Sequence, residues 1–167
     1  MSEGHDVSNL LRTRASEEAD SLIAFLRDIV AIESFSGQEE AVVRRIRQEM
    51  EAVGFDEVTF DALGNVLGRI GPAEKPASGR ARVIAYDAHV DTVNVGDRDQ
   101  WDMDPFAGKL EDGKVYGRGS VDQKAGVSRH WNLKRLYSRE NPLVLFTLSV
   151  QAAMSCMDMP ADELGEW

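Results

Sequence analysis

Cysteine is almost absent: the 167 residues contain one, Cys156. No intramolecular disulfide can form and no cysteine cage can hold zinc, so a reducing compartment is expected. An excess of basic residues is absent too. Nineteen Lys and Arg stand against 29 Asp and Glu, a formal charge of −10. That balance argues against a surface built for nucleic-acid phosphates or an anionic membrane. Long apolar runs are missing, and none approaches the ~20 residues of a membrane span. Met1 to Ala15 is polar and lacks the apolar centre of a signal peptide. A cytoplasmic location is the expectation. The composition of a disordered chain is missing as well, since 43% of residues are hydrophobic. The length suffices for one domain with its own core.

What is present begins with helical spacing. Residues 1–16 read as a lead-in, frayed or partly helical. Ser16 can cap a helix, and Glu17 and Glu18 suit its positive end. Leu22, Phe25, Leu26, Ile29 and Val30 then predict an amphipathic helix over 17–32. Ser34 to Gly37 breaks it. A second helix is expected from Ser36 or Gly37, with Val42, Val43, Ile46, Met50 and Val53 on one face and Gly54 as its stop. Arg44, Arg45 and Arg47 read as its wet side. Strands follow at Val58–Phe60 and Val66–Ile70 around a Leu63-Gly64-Asn65 turn. After a surface loop at 71–80, Arg82 to Tyr86 is β-rich and leads to His89. Helices followed by strands indicate a layered α/β domain.

His89 and Asp91 lie one residue apart at the end of an apolar strand, so both side chains share a face. Ligands of open α/β sheets gather at the carboxyl ends of strands. A neutral imidazole binds zinc, and a nearby carboxylate can orient it. The plainer reading is a surface His–Asp hydrogen bond. Asp112-Gly113 between strand-like runs predicts a hairpin. Gly117 to Gly126 is a glycine-bearing turn in which the backbone can approach an ion. Asp122 sits there where a strand ends and a helix starts, able to reach a metal or simply to cap the helix.

Together, His89-Val90-Asp91-Thr92-Val93, Trp101 to Phe106 and Gly117-Arg118-Gly119-Ser120-Val121-Asp122-Gln123-Lys124 resemble a family of co-catalytic zinc peptidases and amidohydrolases. That family includes aminoacylase, acetylornithine deacetylase, succinyl-diaminopimelate desuccinylase and carboxypeptidase G. Ser34 to Glu39 and Gly64-Asn65-Val66 fit its early pattern, and the likeness runs from about residue 17 to 126. The wording is most similar to the hydrolases linked to selenium metabolism. The resemblance implies a three-layer α/β zinc-peptidase-like catalytic domain with a mixed central sheet, partial here over 17–150 and followed by a divergent tail at 151–167. It implies that His89 ligates one zinc, that Asp122 bridges two, and that Asp91 is the catalytic carboxylate that orients the site. Co2+ or Mn2+ would be substitutes for Zn2+. The implied reaction is hydrolysis of an amide or peptide bond in a small molecule such as an N-acyl amino acid or short peptide.

Later positions depart from the family. Its next strand leads to a Glu-Glu pair, the first a general base and the second a metal ligand, and a distant histidine completes the set. Leu143 to Val150 fits that strand, but counting on without gaps places the pair at Cys156-Met157. Neither can act as a carboxylate, so no general base is assigned, although a Cys156 thiolate can ligate zinc. Asp158, Asp162 and Glu163 read as a polar terminal turn. Val127 to Asn132 continues the family's small-residue helix poorly, His130 reads as a helix-surface residue, and His5 lies in the lead-in. The expectation is a catalytic domain shortened at its C-terminus by truncation, by a frameshift or in a genuine short paralogue, with weak or absent hydrolysis. An exposed sheet edge would favour self-association or a complementing chain. The alternative is a non-catalytic remnant that keeps the fold and binds at most one metal weakly. A phosphate-binding module at Gly117-Arg118-Gly119 is weaker, since the phosphate-loop spacings are lacking.

Overall fold

Apolar residues three and four apart need one helix face buried against something, and strands rich in β-branched residues supply the other surface. A computed structural model describes residues 3–71, 82–129 and 144–151. Helix α1 spans Glu3–Glu17, α2 Ala19–Ala31 and α3 Glu40–Ala52. Strands β1 (Glu57–Phe60), β2 (Val66–Ile70), β3 (Arg82–His89) and β6 (Val144–Gln151) form one sheet. Strands β4 (Lys109–Glu111) and β5 (Lys114–Tyr116) form a hairpin across Asp112-Gly113, as expected. No helix among the described residues is long and apolar enough to cross a membrane.

The four-stranded sheet has the order β1-β2-β6-β3. β1 with β2 and β2 with β6 are antiparallel, whereas β6 runs parallel to β3. The sheet is therefore mixed, as the α/β zinc-peptidase-like fold class requires. Phe25, Leu26, Ile29 and Val30 of α2 and Val42, Val43, Ile46 and Met50 of α3 form one core with Phe60, Val66, Ala88 and Val90. Each Val, Leu, Ile, Phe or Met among them contributes about 1.5–3 kcal/mol on full burial. The described residues thus supply the sheet and one helical layer. Arg44, Arg45 and Arg47 do form the wet side of α3, paired with Glu40, with Asp28 and Glu49, and with Glu51.

Several boundaries differ from the sequence reading. Residues 3–17 take the helical alternative for the lead-in. Ser16 does not cap α2: its hydroxyl donates to the carbonyl of Arg12 within α1, and α2 starts after Glu18. α3 starts at Glu40 rather than at Ser36 or Gly37. Its expected cap is engaged elsewhere, because the Ser36 hydroxyl donates to Asp91. β1 includes Glu57, and the strand expected at Leu143–Val150 runs over Val144–Gln151.

Candidate metal centre

β3 ends at His89, and the chain continues extended through the buried Val90. The segment between α2 and α3 is tied to this strand end. The Ser34 hydroxyl donates to the carbonyl of Val90 at 2.7 Å, and the Thr92 N–H donates to the carbonyl of Ser34 at 2.7 Å. A parallel bridge joins Phe35 to Thr92. These bonds hold Ser36 over Asp91, whose Oδ2 accepts the Ser36 hydroxyl at 2.6 Å. The other oxygen of Asp91 lies 3.0 Å from His89 Nδ1. Ser36, Asp91 and His89 thus form a relay of hydrogen bonds that fixes the imidazole plane.

The glycine-bearing turn brings in the third residue. Gly119 has φ +78° and lies where a β-carbon would come within 2.6 Å of Thr92 Cγ2. Only glycine meets both conditions, the left-handed backbone and the close approach. Three residues later, Asp122 Oδ1 stands 3.2 Å from His89 Nε2. Gln123 Oε1 accepts the backbone N–H of His89 at 3.2 Å, a second tie between the turn and β3. Lys124 is fully buried, and its ammonium donates to the carbonyls of Ile29 and Ile32 at 2.8 and 2.9 Å. Burial pushes this ammonium down to about 8. Its place at the C-terminal end of α2 opposes that cost, since the free carbonyls there favour a cation.

All three sequence-predicted site residues therefore meet. His89, Asp91 and Asp122 line a pocket of about 100 Å3 with Thr92, Val93, Arg118 and Gly119. A neutral imidazole that donates from Nδ1 to Asp91 turns its Nε2 lone pair toward Asp122. Two acceptors then face one another, an arrangement that a cation between them would complete. Two ligands of a tetrahedral zinc at ~2.0–2.1 Å stand about 3.3 Å apart. The observed Nε2–Oδ1 separation of 3.2 Å fits that spacing. The Asp122 side chain is 87% exposed, so a carboxylate oxygen is accessible to a second ion. Among the described residues no group of three His, Cys, Asp or Glu side chains is gathered to hold one metal ion. Cys156, Met157, Asp158, Asp162, Glu163 and His130 lie outside the described residues, and His5 lies in α1.

Four contributors had no place in the metal site read from the sequence: Ser36, Gln123, Lys124 and Arg118. Ser36 carried a competing signal as a helix cap, and the other three lay inside the quoted turn without anything to show what they touch. The guanidinium of Arg118 lies over the Trp101 ring at 5.1 Å. The Trp101 indole N–H is anchored on the carbonyl of Val95 at 2.9 Å. Arg118 Nε is buried and finds no acceptor among the described residues. A buried donor left without a partner costs about 1–3 kcal/mol.

Comparison with known proteins follows this geometry. Residues 85–150 match the peptidase family M20/M25/M40. Over 119 residues the chain is 44% identical to the Escherichia coli K12 protein YgeY, an alignment that covers 71% of this chain and 28% of that protein. It is 33% identical over 108 residues to succinyl-diaminopimelate desuccinylase of Cereibacter sphaeroides, covering 64% of this chain and 27% of the relative. The chain thus spans between a quarter and a third of the length of these relatives. Among solved structures it is similar to the M20 family metallo-carboxypeptidase Sso-CP2 of Sulfolobus solfataricus (TM-score 0.63, 21% identity, 81% of this chain and 30% of that one). It is also similar to human carnosine dipeptidase 1 (0.64, 22%, 82% and 32%). A third is Bacillus subtilis YXEP, described as a dinuclear metal-binding peptidase from the M20 family (0.56, 23%, 80% and 35%). At these identities the structural likeness establishes the fold.

Proposed function

Because the chain belongs to the M20/M25/M40 peptidase family, we propose that it carries part of the site of a zinc-dependent hydrolase of amide or peptide bonds. The observation that carries this reading is the single imidazole held between two carboxylates, Asp91 on Nδ1 at 3.0 Å and Asp122 on Nε2 at 3.2 Å. His89 and Asp122 would hold the metal, and Asp122 would share it with a second ion. Zinc bound there would supply a water of lowered pKa and polarise the scissile carbonyl. Asp91 keeps the His89 proton on Nδ1 and leaves Nε2 as a donor of electrons. Ser36 keeps Asp91 in place. The substrate class is a small N-acyl amino acid or peptide.

A second reading has its own support. The described residues bring together two metal donors rather than three or four, and Cys156-Met157 offers no carboxylate for general base. On that basis the 167-residue chain alone binds one metal weakly and turns over slowly or not at all. The parallel strand β3, which has only β6 as a neighbour among the described residues, is where we propose that a second copy or a complementing chain docks. Calorimetry with zinc, beside hydrolysis assays on N-acyl amino acids and dipeptides, decides between the two. Two zincs per chain with turnover lost in Asp91→Ala supports the hydrolase. No zinc binding would sink it, and one zinc without turnover supports the non-catalytic form.

A further inference from the structure

We propose that Arg118 is an anion-binding residue of this pocket and receives a carboxylate group of the substrate. The inference rests on the hydrolase reading for the word substrate, and on the pocket alone for the binding. Of the seven lining residues, Arg118 is the single Lys or Arg, and it faces a site that otherwise carries Asp91 and Asp122. Beside the metal that His89 and Asp122 would hold, Arg118 is the one lining side chain that can pair with a carboxylate carried by the substrate itself.

Its surroundings prepare it for that work. Trp101 lies beneath the guanidinium at 5.1 Å and is itself anchored on Val95. The Arg118 N–H donates to the carbonyl of Pro105 at 2.6 Å, which fixes the backbone from which the side chain projects. Stacking on an indole holds the plane of a guanidinium while leaving its edge for hydrogen bonds. That edge is unused. Nε is buried without an acceptor, and no ion pair of Arg118 is found among the described residues. A carboxylate can take two of the guanidinium's Nη–H groups together, as parallel bonds. Lysine at this position would keep the charge but lose that paired geometry.

The test uses the whole 167-residue chain, labelled with 15N and supplied with zinc. Acetate is the probe, and acetamide is its uncharged isostere. The Nε–H cross-peak of Arg118 is the one that Arg118→Lys removes. Acetate is expected to move that peak saturably, and acetamide to leave it in place. Arg118→Met is expected to weaken acetate binding at least tenfold by calorimetry while zinc affinity is unchanged. A peak that acetate does not move, or one that acetamide moves equally, overturns the proposal. Unchanged acetate affinity in a folded Arg118→Met chain does the same. Should Arg118→Met fail to fold, the contrast between acetate and acetamide in the unaltered chain still decides. Zinc calorimetry is read separately. A chain that binds acetate at Arg118 but no zinc loses the hydrolase reading and keeps the anion site.

Discussion

At the scale of single residues, the centre depends on which nitrogen of His89 carries the proton. In the proposed centre Asp91, 3.0 Å from Nδ1, would hold the proton there, and Ser36 holds Asp91 through a 2.6 Å hydrogen bond. Removing the carboxylate frees the ring to rotate and to exchange tautomers. Partners of this kind typically account for 10–100-fold in metal affinity. Asp91→Ala is therefore expected to weaken zinc binding by about that factor in calorimetry, with the fold retained by circular dichroism. Ser36→Ala removes one hydrogen bond to a charged group, about 1.5–3 kcal/mol at most. Its effect on zinc should be smaller than that of Asp91→Ala and in the same direction. Zinc affinity unchanged in both variants would remove Asp91 and Ser36 from the centre. The pairing of His89 with Asp91 was legible from strand period, which is local, whereas Asp122, 33 residues from His89, was singled out by the family resemblance. Ser36 was not legible, because its partner is 55 residues away.

At the scale of elements, the same division recurs. The apolar faces of α2 and α3 could be read from spacing, and so could the stop of α3. There the N–H of Gly54 donates to the carbonyl of Glu51, and that of Phe55 to the carbonyl of Met50, a left-handed helix ending. A β-carbon at Gly54 would meet nothing within 4 Å, so a substitution there meets only the strain of φ +80°. Gly54→Ala is expected to cost about 1–2 kcal/mol in urea unfolding. Gly68 in β2 is the opposite case. Its β-carbon would come within 2.6–2.8 Å of Phe55 and Met50, the two residues that close the end of α3. Gly68→Ala must push this packing apart, a loss of about 1–3 kcal/mol. Phe55→Ala opens the space, so it should relieve part of the Gly68→Ala penalty and none of the Gly54→Ala penalty. Equal behaviour of the two glycines in that double-variant comparison would show that Gly68 does not carry the contact. The start of α3 escaped the sequence reading for a related reason: a serine that can cap a helix was committed to a carboxylate on another element.

At the scale of the molecule, the least legible feature is the strand order. β6 comes last among the described strands, yet it lies between β2 and β3, antiparallel to one and parallel to the other. Nothing local in residues 144–151 announces two neighbours drawn from residues 66–70 and 82–89. This insertion makes the placement of His89 depend on β6, because among the described residues β3 joins the rest of the sheet through β6 and ends at His89. Leu148 stands opposite Gly68 on one side and Tyr86 on the other. Leu148→Pro removes a ladder hydrogen bond from a strand paired on both sides, a position from which proline is excluded. It is expected to abolish cooperative unfolding and zinc binding together. Zinc binding that survived would mean that His89 and Asp122 are held without β6. β3 has no second strand beside it among the described residues, and Ala85 on it is exposed. An unpaired strand edge is a template for pairing with another chain. Light scattering should therefore report a mass above the 18.5 kDa of one chain. Ala85→Lys, which places a charge on that edge, should return the mass toward 18.5 kDa. A monodisperse 18.5 kDa species before any substitution would show that β3 does not recruit a partner. It would leave the metal centre to be judged on zinc alone.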